Sequence, residues 1–371
     1  MSLELQIAGR MRGALRTLVP AALKLAHSHG GDFEPLERDG YCAQCYRDWP
    51  DDPQFIQKWN RLLARNKWAT AFCTPAWQSA IVDQFVPAGQ FRLITVCRGD
   101  ELLAVLPLAL NTASMLETPG KWVSDYLDPL VDHTEAEACW TIILELLEQL
   151  WDWSVGGFFI HHVRPDSQVR RILPGLAPKF GFTYQDKCVE RTPQISLPGT
   201  WEEYLARLDG HERKEFKRKI RNAETKANMQ WRTLNEPAEF NPALERALEG
   251  MREAESNKAD FTEEILFGFL RRICPALCAQ GEMFIQELWL EGQASAWLLT
   301  IKSEQGPMAY NTSYDFGKRQ FSPGMVSFGL AIRDAIALGC PTFNFLRGGE
   351  EFKKRLGAQD VELFRVKILP E

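Results

Sequence analysis

The chain has 371 residues, 45% of them hydrophobic and 25% charged, with a formal net charge of −6. That length suits two domains of roughly 150–200 residues, and the composition is that of a globular protein whose core needs no disulfides. The acidic balance argues against general nucleic-acid binding, nine scattered cysteines fit a reducing compartment, and no stretch approaches the ~20 uninterrupted apolar residues of a membrane span.

Residues 3–26 read as a helix with one apolar side (Leu3, Ile7, Met11, Leu15, Leu18, Ala22, Leu25), bent or divided at Pro20. Arg10, Arg12, Arg16 and Lys24 interrupt it, so it lacks the uncharged centre of a secretory signal. It reads either as a helix packed on the protein body or as a basic amphipathic helix touching an anionic membrane. A cytoplasmic location is expected. Residues 27–53 form a turn-rich connector. Within it, Cys42 and Cys45, with His27 and His29, read as a zinc set or as free thiols. A single Cys pair and two closely spaced His make a poor zinc pattern, and no metal is expected.

Regular periodicity begins at residue 54. Helices are expected over 54–65 and 75–86, then strands over 91–98 and 102–110 around the Gly99-Asp100 turn. A strand including Tyr126-Leu127-Asp128 follows, then a helix over 135–151, a strand over 157–163, a helix over 167–180 and a strand over 192–197. Thr200 and Glu203 form a capping box that opens the next helix. A very polar helix covers 211–227, a strand 229–234, and helices 237–255 and 262–279. Strands over 283–290, 294–303 and 307–315 lead to a helix over 324–338. A strand over 342–346, a short helix over 350–356 and a strand over 361–369 complete the chain.

The order of helices, antiparallel strands, helix, strand, helix, strand occurs twice. That is a mixed α/β (α+β, mixed-sheet) architecture rather than the βαβ alternation of a parallel doubly wound sheet. The two halves look like diverged copies of one topology. The expected organisation is an N-terminal helix and connector (1–53), a first domain (54–195) and a second domain (196–371). Dinucleotide-binding, P-loop, metalloprotease and serine-hydrolase motifs are absent.

The densest chemistry lies at 310–356. A strand carrying Tyr310, Tyr314 and Asp315 runs into Ser322-Pro323-Gly324, where a helix opens. Unpartnered N–H groups and the helix dipole favour an anion there, and Gly324 permits close approach to the backbone. A plain turn and helix start is the alternative. The helix at 211–227 carries seven Lys and Arg, among them Arg218 and Arg221. It reads as a solvated face, as a surface for an anionic ligand, or as an RNA contact. Asp125, Tyr126 and Asp128 form an acidic-aromatic cluster suited either to a hydroxylated acceptor or to turn capping.

The ordered set Y-x-x-x-Y-D (310–315), S-P-G (322–324), F-x-F (343–345), Arg347-Gly348 and Phe352-Lys353 resembles the cellulose-biosynthesis-type (CelD/BcsL) acetyltransferases, GNAT proteins related to Fem-type peptidyltransferases. Pro75-Ala76-Trp77, Pro107, the run Ser124–Pro129 and Trp201–Leu205 fit as well, so the resemblance covers residues 54–369. It implies two tandem GNAT-like domains, the first degenerate. The second would bind acetyl-CoA or another acyl-CoA through Ser322, Gly324, Met325, Val326 and Arg347. Lys353 would stabilise an oxyanion, with Glu350, Tyr310, Tyr314 or Asp315 handling protons. Asn344 and Phe352 depart from the Asp and Tyr usual in that family. The acceptor would be an amine or hydroxyl of a small or saccharide-linked molecule. Fem-like use of aminoacyl-tRNA and a non-catalytic scaffold for exopolysaccharide machinery are the alternatives.

Overall fold

The computed structural model describes residues 33–151, 156–254 and 261–371. The expected N-terminal helix, His27 and His29 lie outside them. The chain divides into two compact units. One comprises 33–190 together with Glu362–Glu371, and the other Arg191–Val361.

In the first unit β1 (Leu36–Arg38) and β2 (Tyr41–Tyr46) precede helix α1 (Pro53–Ala64). They fall inside the stretch read as a connector. Gly40 at φ 81° turns the chain there, and β2 pairs antiparallel along β3 (Phe91–Arg98). Helices α1 and α2 (Pro75–Phe85) each begin with Pro behind a capping side chain. Asp52 accepts from the Gln54 N–H and Thr74 from the Trp77 N–H. Strand β3 pairs antiparallel with β4 (Glu101–Leu110), and β4 with both β5 (Leu116–Glu117) and β6 (Leu130–Val131). The strand expected at Tyr126–Asp128 is irregular chain instead. Gly120 at φ 77° turns the backbone there and Pro129 offers no N–H to a ladder. Helix α3 (Ala136–Trp151) leads to β7 (Phe158–Val163), which runs parallel to β5. Helix α4 (Gln168–Leu176) leads into β8 (Phe182–Ser196), and residues 364–368 of the final strand pair antiparallel with β7. Trp140, Leu144 and Leu147 of α3 are buried with Ile94, Leu106 and Phe158 of the strands.

The second unit repeats this order. Helices α5 (Trp201–Arg207) and α6 (Gly210–Lys226) are capped by Thr200 and Asp209. Strand β9 (Gln230–Leu234) and helices α7 (Pro237–Ala254) and α8 (Phe261–Ala279) follow. Strands β10 (Met283–Leu290), β11 (Gln293–Ile301) and β12 (Met308–Tyr314) form an antiparallel meander. Helix α9 (Pro323–Ala337) crosses to β13 (Thr342–Asn344), which runs parallel to β12 and antiparallel to the end of β8. Helix α10 (Glu351–Arg355) precedes β14 (Gln359–Pro370). Gly329 of α9 lies under Phe216 of α6, where an added Cβ would stand 2.0 Å from Cζ. That glycine lets the two helices pack closely. Among the described residues no helix is long and apolar enough to cross a membrane.

Candidate active site

Strand β12 is paired with β11 along its length, from Met308↔Ile301 to Ala296↔Tyr314. On its other side it meets β13 at one register position, Met308↔Asn344. The two parallel strands then diverge. The cause is local: Asn344 Oδ1 accepts from the Leu346 N–H at 2.8 Å, Leu346 adopts φ 53°, and Gly348 adopts φ 128°. A left-handed leucine costs on the order of 1–3 kcal/mol, so packing must hold it. The expected strand over 342–346 therefore stops at Asn344.

Helix α9 opens beyond the far end of β12. Ser322 sits at φ 53°, ψ 53°, Pro323 occupies the first turn, and no side chain caps this end. The first intrahelical bond is Val326 N–H to the Ser322 carbonyl at 3.0 Å. The helix thus presents uncapped first-turn N–H groups and the positive end of its dipole. Gly324 faces Tyr314: an added Cβ would stand 3.3 Å from the ring Cδ1. Tyr314 and Phe316 are both exposed and stack at 6.0 Å, with 18° between ring planes.

Several sequence candidates have other contacts. Asp315 caps the turn Phe316–Phe321 by accepting from the Gly317 N–H at 2.7 Å. The Val326 side chain is buried in the core with Leu288 and Leu330, leaving only its backbone for a ligand. Tyr310 and Arg347 are buried. Arg218 pairs with Glu215 at 2.8 Å, while Arg221 is exposed and unpaired among the described residues.

Lys353 is 3% exposed. Its ammonium donates to the carbonyls of Phe345 at 3.3 Å, Arg347 at 3.1 Å and Gly348 at 3.3 Å, and pairs with the Glu350 carboxylate at 3.0 Å. The three carbonyls take its N–H donors, and Glu350 Oε2 stands beside it as an ion pair without a hydrogen bond. Lys353 holds the turn that splits β13 from β12. In this arrangement its charge organises the loop.

The equivalent helix start in the first unit is built differently. Ahead of α3, Asp132 Oδ1 accepts from the Thr134 N–H at 3.0 Å, and Glu135 receives the Tyr41 hydroxyl at 2.6 Å and Arg98 at 2.9 Å. Two carboxylates lie at this helix start, and their charge opposes a phosphate there.

Elsewhere in that unit, Asp128 binds the Arg164 side chain at 3.2 Å and its backbone N–H at 3.3 Å through Oδ2. Its Oδ1 is buried without a partner, as is Gln78 Oε1. Both residues line a small cavity of about 20 Å³ walled by Trp59, Phe72 and Tyr126. Asp125 is buried beside it in the chain. Gln78 carried no sequence signal, because nothing in a helical glutamine's spacing reveals a cavity. Cys42 and Cys45 stand three positions apart on β2, so their side chains leave opposite faces and do not converge on one ion.

Residues 210–354 match the family described as "Acetyltransferase (GNAT) domain". No curated protein sequence matches the chain. Among solved structures it is similar to FemX, at 12% identity and a TM-score of 0.60, covering 84% of this chain and 95% of that one. It is also similar to a conserved protein of unknown function from Bacteroides thetaiotaomicron, at 12% identity and a TM-score of 0.54, covering 85% and 97%. These likenesses concern the fold. The family match lies in the second unit, and the same strand and helix order recurs in the first. The chain is therefore a mixed α/β protein of two units with the same element order, the second of which carries an acetyltransferase (GNAT) domain.

Proposed function

We propose that the protein transfers an acyl group, acetyl in the simplest case, from its CoA thioester to an amine or hydroxyl, as in the cellulose-biosynthesis-type branch that its motifs resemble. One observation carries the reading: β12 and β13 pair once and then part beside an uncapped helix N-terminus. A diphosphate suits that N-terminus, where backbone N–H groups and the dipole meet negative charge. The edge of β12 released by β13 offers backbone groups to the amide-bearing arm of the donor. The acceptor attacks the thioester carbonyl directly, its N–C or O–C bond forms, the C–S bond breaks, and the proton moves to a carboxylate, to the thiolate or to water.

Isothermal titration with acetyl-CoA tests this. Saturable binding at 1:1 is expected. No acetyl-CoA binding, together with steeply salt-dependent binding of aminoacyl-tRNA, would select the Fem-like donor instead. Binding of neither would leave a scaffold.

A further inference from the structure

A second concave surface in the unit 191–361 lies away from the strand split. It is an open groove of about 520 Å³ walled by α5, α6 and α9. Arg213, Lys217 and Arg221 line it from α6, and Arg333 from α9. The α6 cations are spaced four apart, so one stripe of the helix delivers all three at intervals of about 6 Å.

Among the described residues none of these four has a carboxylate partner. Three other charges of the helix are paired: Arg218 meets Glu215 at 2.8 Å, and Glu212 meets Arg355 at 2.8 Å. Glu202 and Glu224 also line the groove, leaving positive charge in excess there on a chain whose net charge is −6. Trp201, stacked on Tyr204 at 5.1 Å, and Ile220 add an apolar side.

We propose that this groove is a second anion site, which takes a phosphate ester whose organic part rests on Trp201. Guanidinium groups hold phosphate oxygens by paired, charge-assisted hydrogen bonds, and two walls of the groove supply them. The site is separate from the start of α9. Arg333 stands nine positions after Gly324, about 13 Å along the helix, beyond the reach of one diphosphate. Two sources carry this chemistry, a soluble phosphorylated metabolite and a phospholipid headgroup.

The test uses inorganic pyrophosphate in calorimetry, and flotation with phosphatidylcholine vesicles containing phosphatidylglycerol. The proteins are wild type, the Arg213→Gln/Arg221→Gln/Arg333→Gln variant, and Gly324→Glu as a variant of the other anion position. Wild type should bind at least one probe. The triple variant should bind it about tenfold or more weakly, and Gly324→Glu should retain it. Arg221→Gln alone, at an exposed position, should show a smaller loss and guards against misfolding of the triple. Pyrophosphate binding without vesicle binding assigns a soluble ester; preferential vesicle binding assigns a headgroup. Binding of neither probe, or binding that survives the triple substitution made in the Gly324→Glu background, overturns the proposal.

Discussion

The Lys353 ammonium lies 3.0 Å from the Glu350 carboxylate, and the three carbonyls that share it belong to the turn where β13 leaves β12. One buried cation therefore ties together the loop on which the strand split depends. Lys353→Ala strands the carboxylate and three carbonyls away from water. Removing one partner of a buried pair costs about 3–5 kcal/mol. The melting temperature should fall by well over 5 °C, along with activity. Lys354→Ala, whose side chain is 62% exposed, should change neither. If Lys353→Ala melts like wild type and lowers only kcat, the lysine acts on a reacting oxygen and not on the loop.

Gly329 and Phe216 set how closely α9 and α6 pack. Gly329→Ala forces the ring aside, and overpacking of this kind costs about 1–3 kcal/mol. Adding Phe216→Leu should return part of that loss, giving a coupling of at least about 0.5 kcal/mol in a double-mutant cycle of denaturant midpoints. Additive losses would show that the two residues do not share the contact.

Acid should weaken the first unit through Glu117. Burial pushes this carboxyl up, but the hydrogen bond with His161 at 3.0 Å and Lys121 at 2.9 Å pull it down to about 2. Because the folded value lies below the unfolded one, the stabilisation is present above about pH 4.5 and is lost as pH falls toward 2. It amounts to about 3 kcal/mol. Burial also holds the His161 imidazole below its ordinary value. Its protonation on unfolding acts in the same direction. In urea titrations between pH 2 and 6, Glu117→Gln should flatten the pH dependence. An unchanged slope would remove Glu117 from the acid response.

Helix and strand periodicity made most of the fold legible, because α1, α2, α9 and β3, β4, β10, β11 follow their apolar patterns closely. The strands at Leu36–Tyr46 were hidden by the Pro- and Gly-rich residues around them, and Tyr126–Asp128 looked like a strand because it is apolar on both sides of its acids. The pairing of residues 364–368 with β7 is a long-range choice that no local pattern encodes. At the site, Ser-Pro-Gly announced a helix start, and the structure leaves that start uncapped. The partners of Lys353 depend on Leu346 turning left-handed, which a leucine in a strand-like run gives no reason to expect. The lysine's spacing was visible; the carbonyls around it were not.

Hydrogen–deuterium exchange with and without acetyl-CoA tests the central claim most directly, since it reads both helix starts in one sample. The donor should slow exchange over 308–326, strongest at the first amides of α9, and leave 130–140 unchanged, where Asp132 and Glu135 already occupy the helix start. Protection at 130–140 with none at 322–326 would contradict the account.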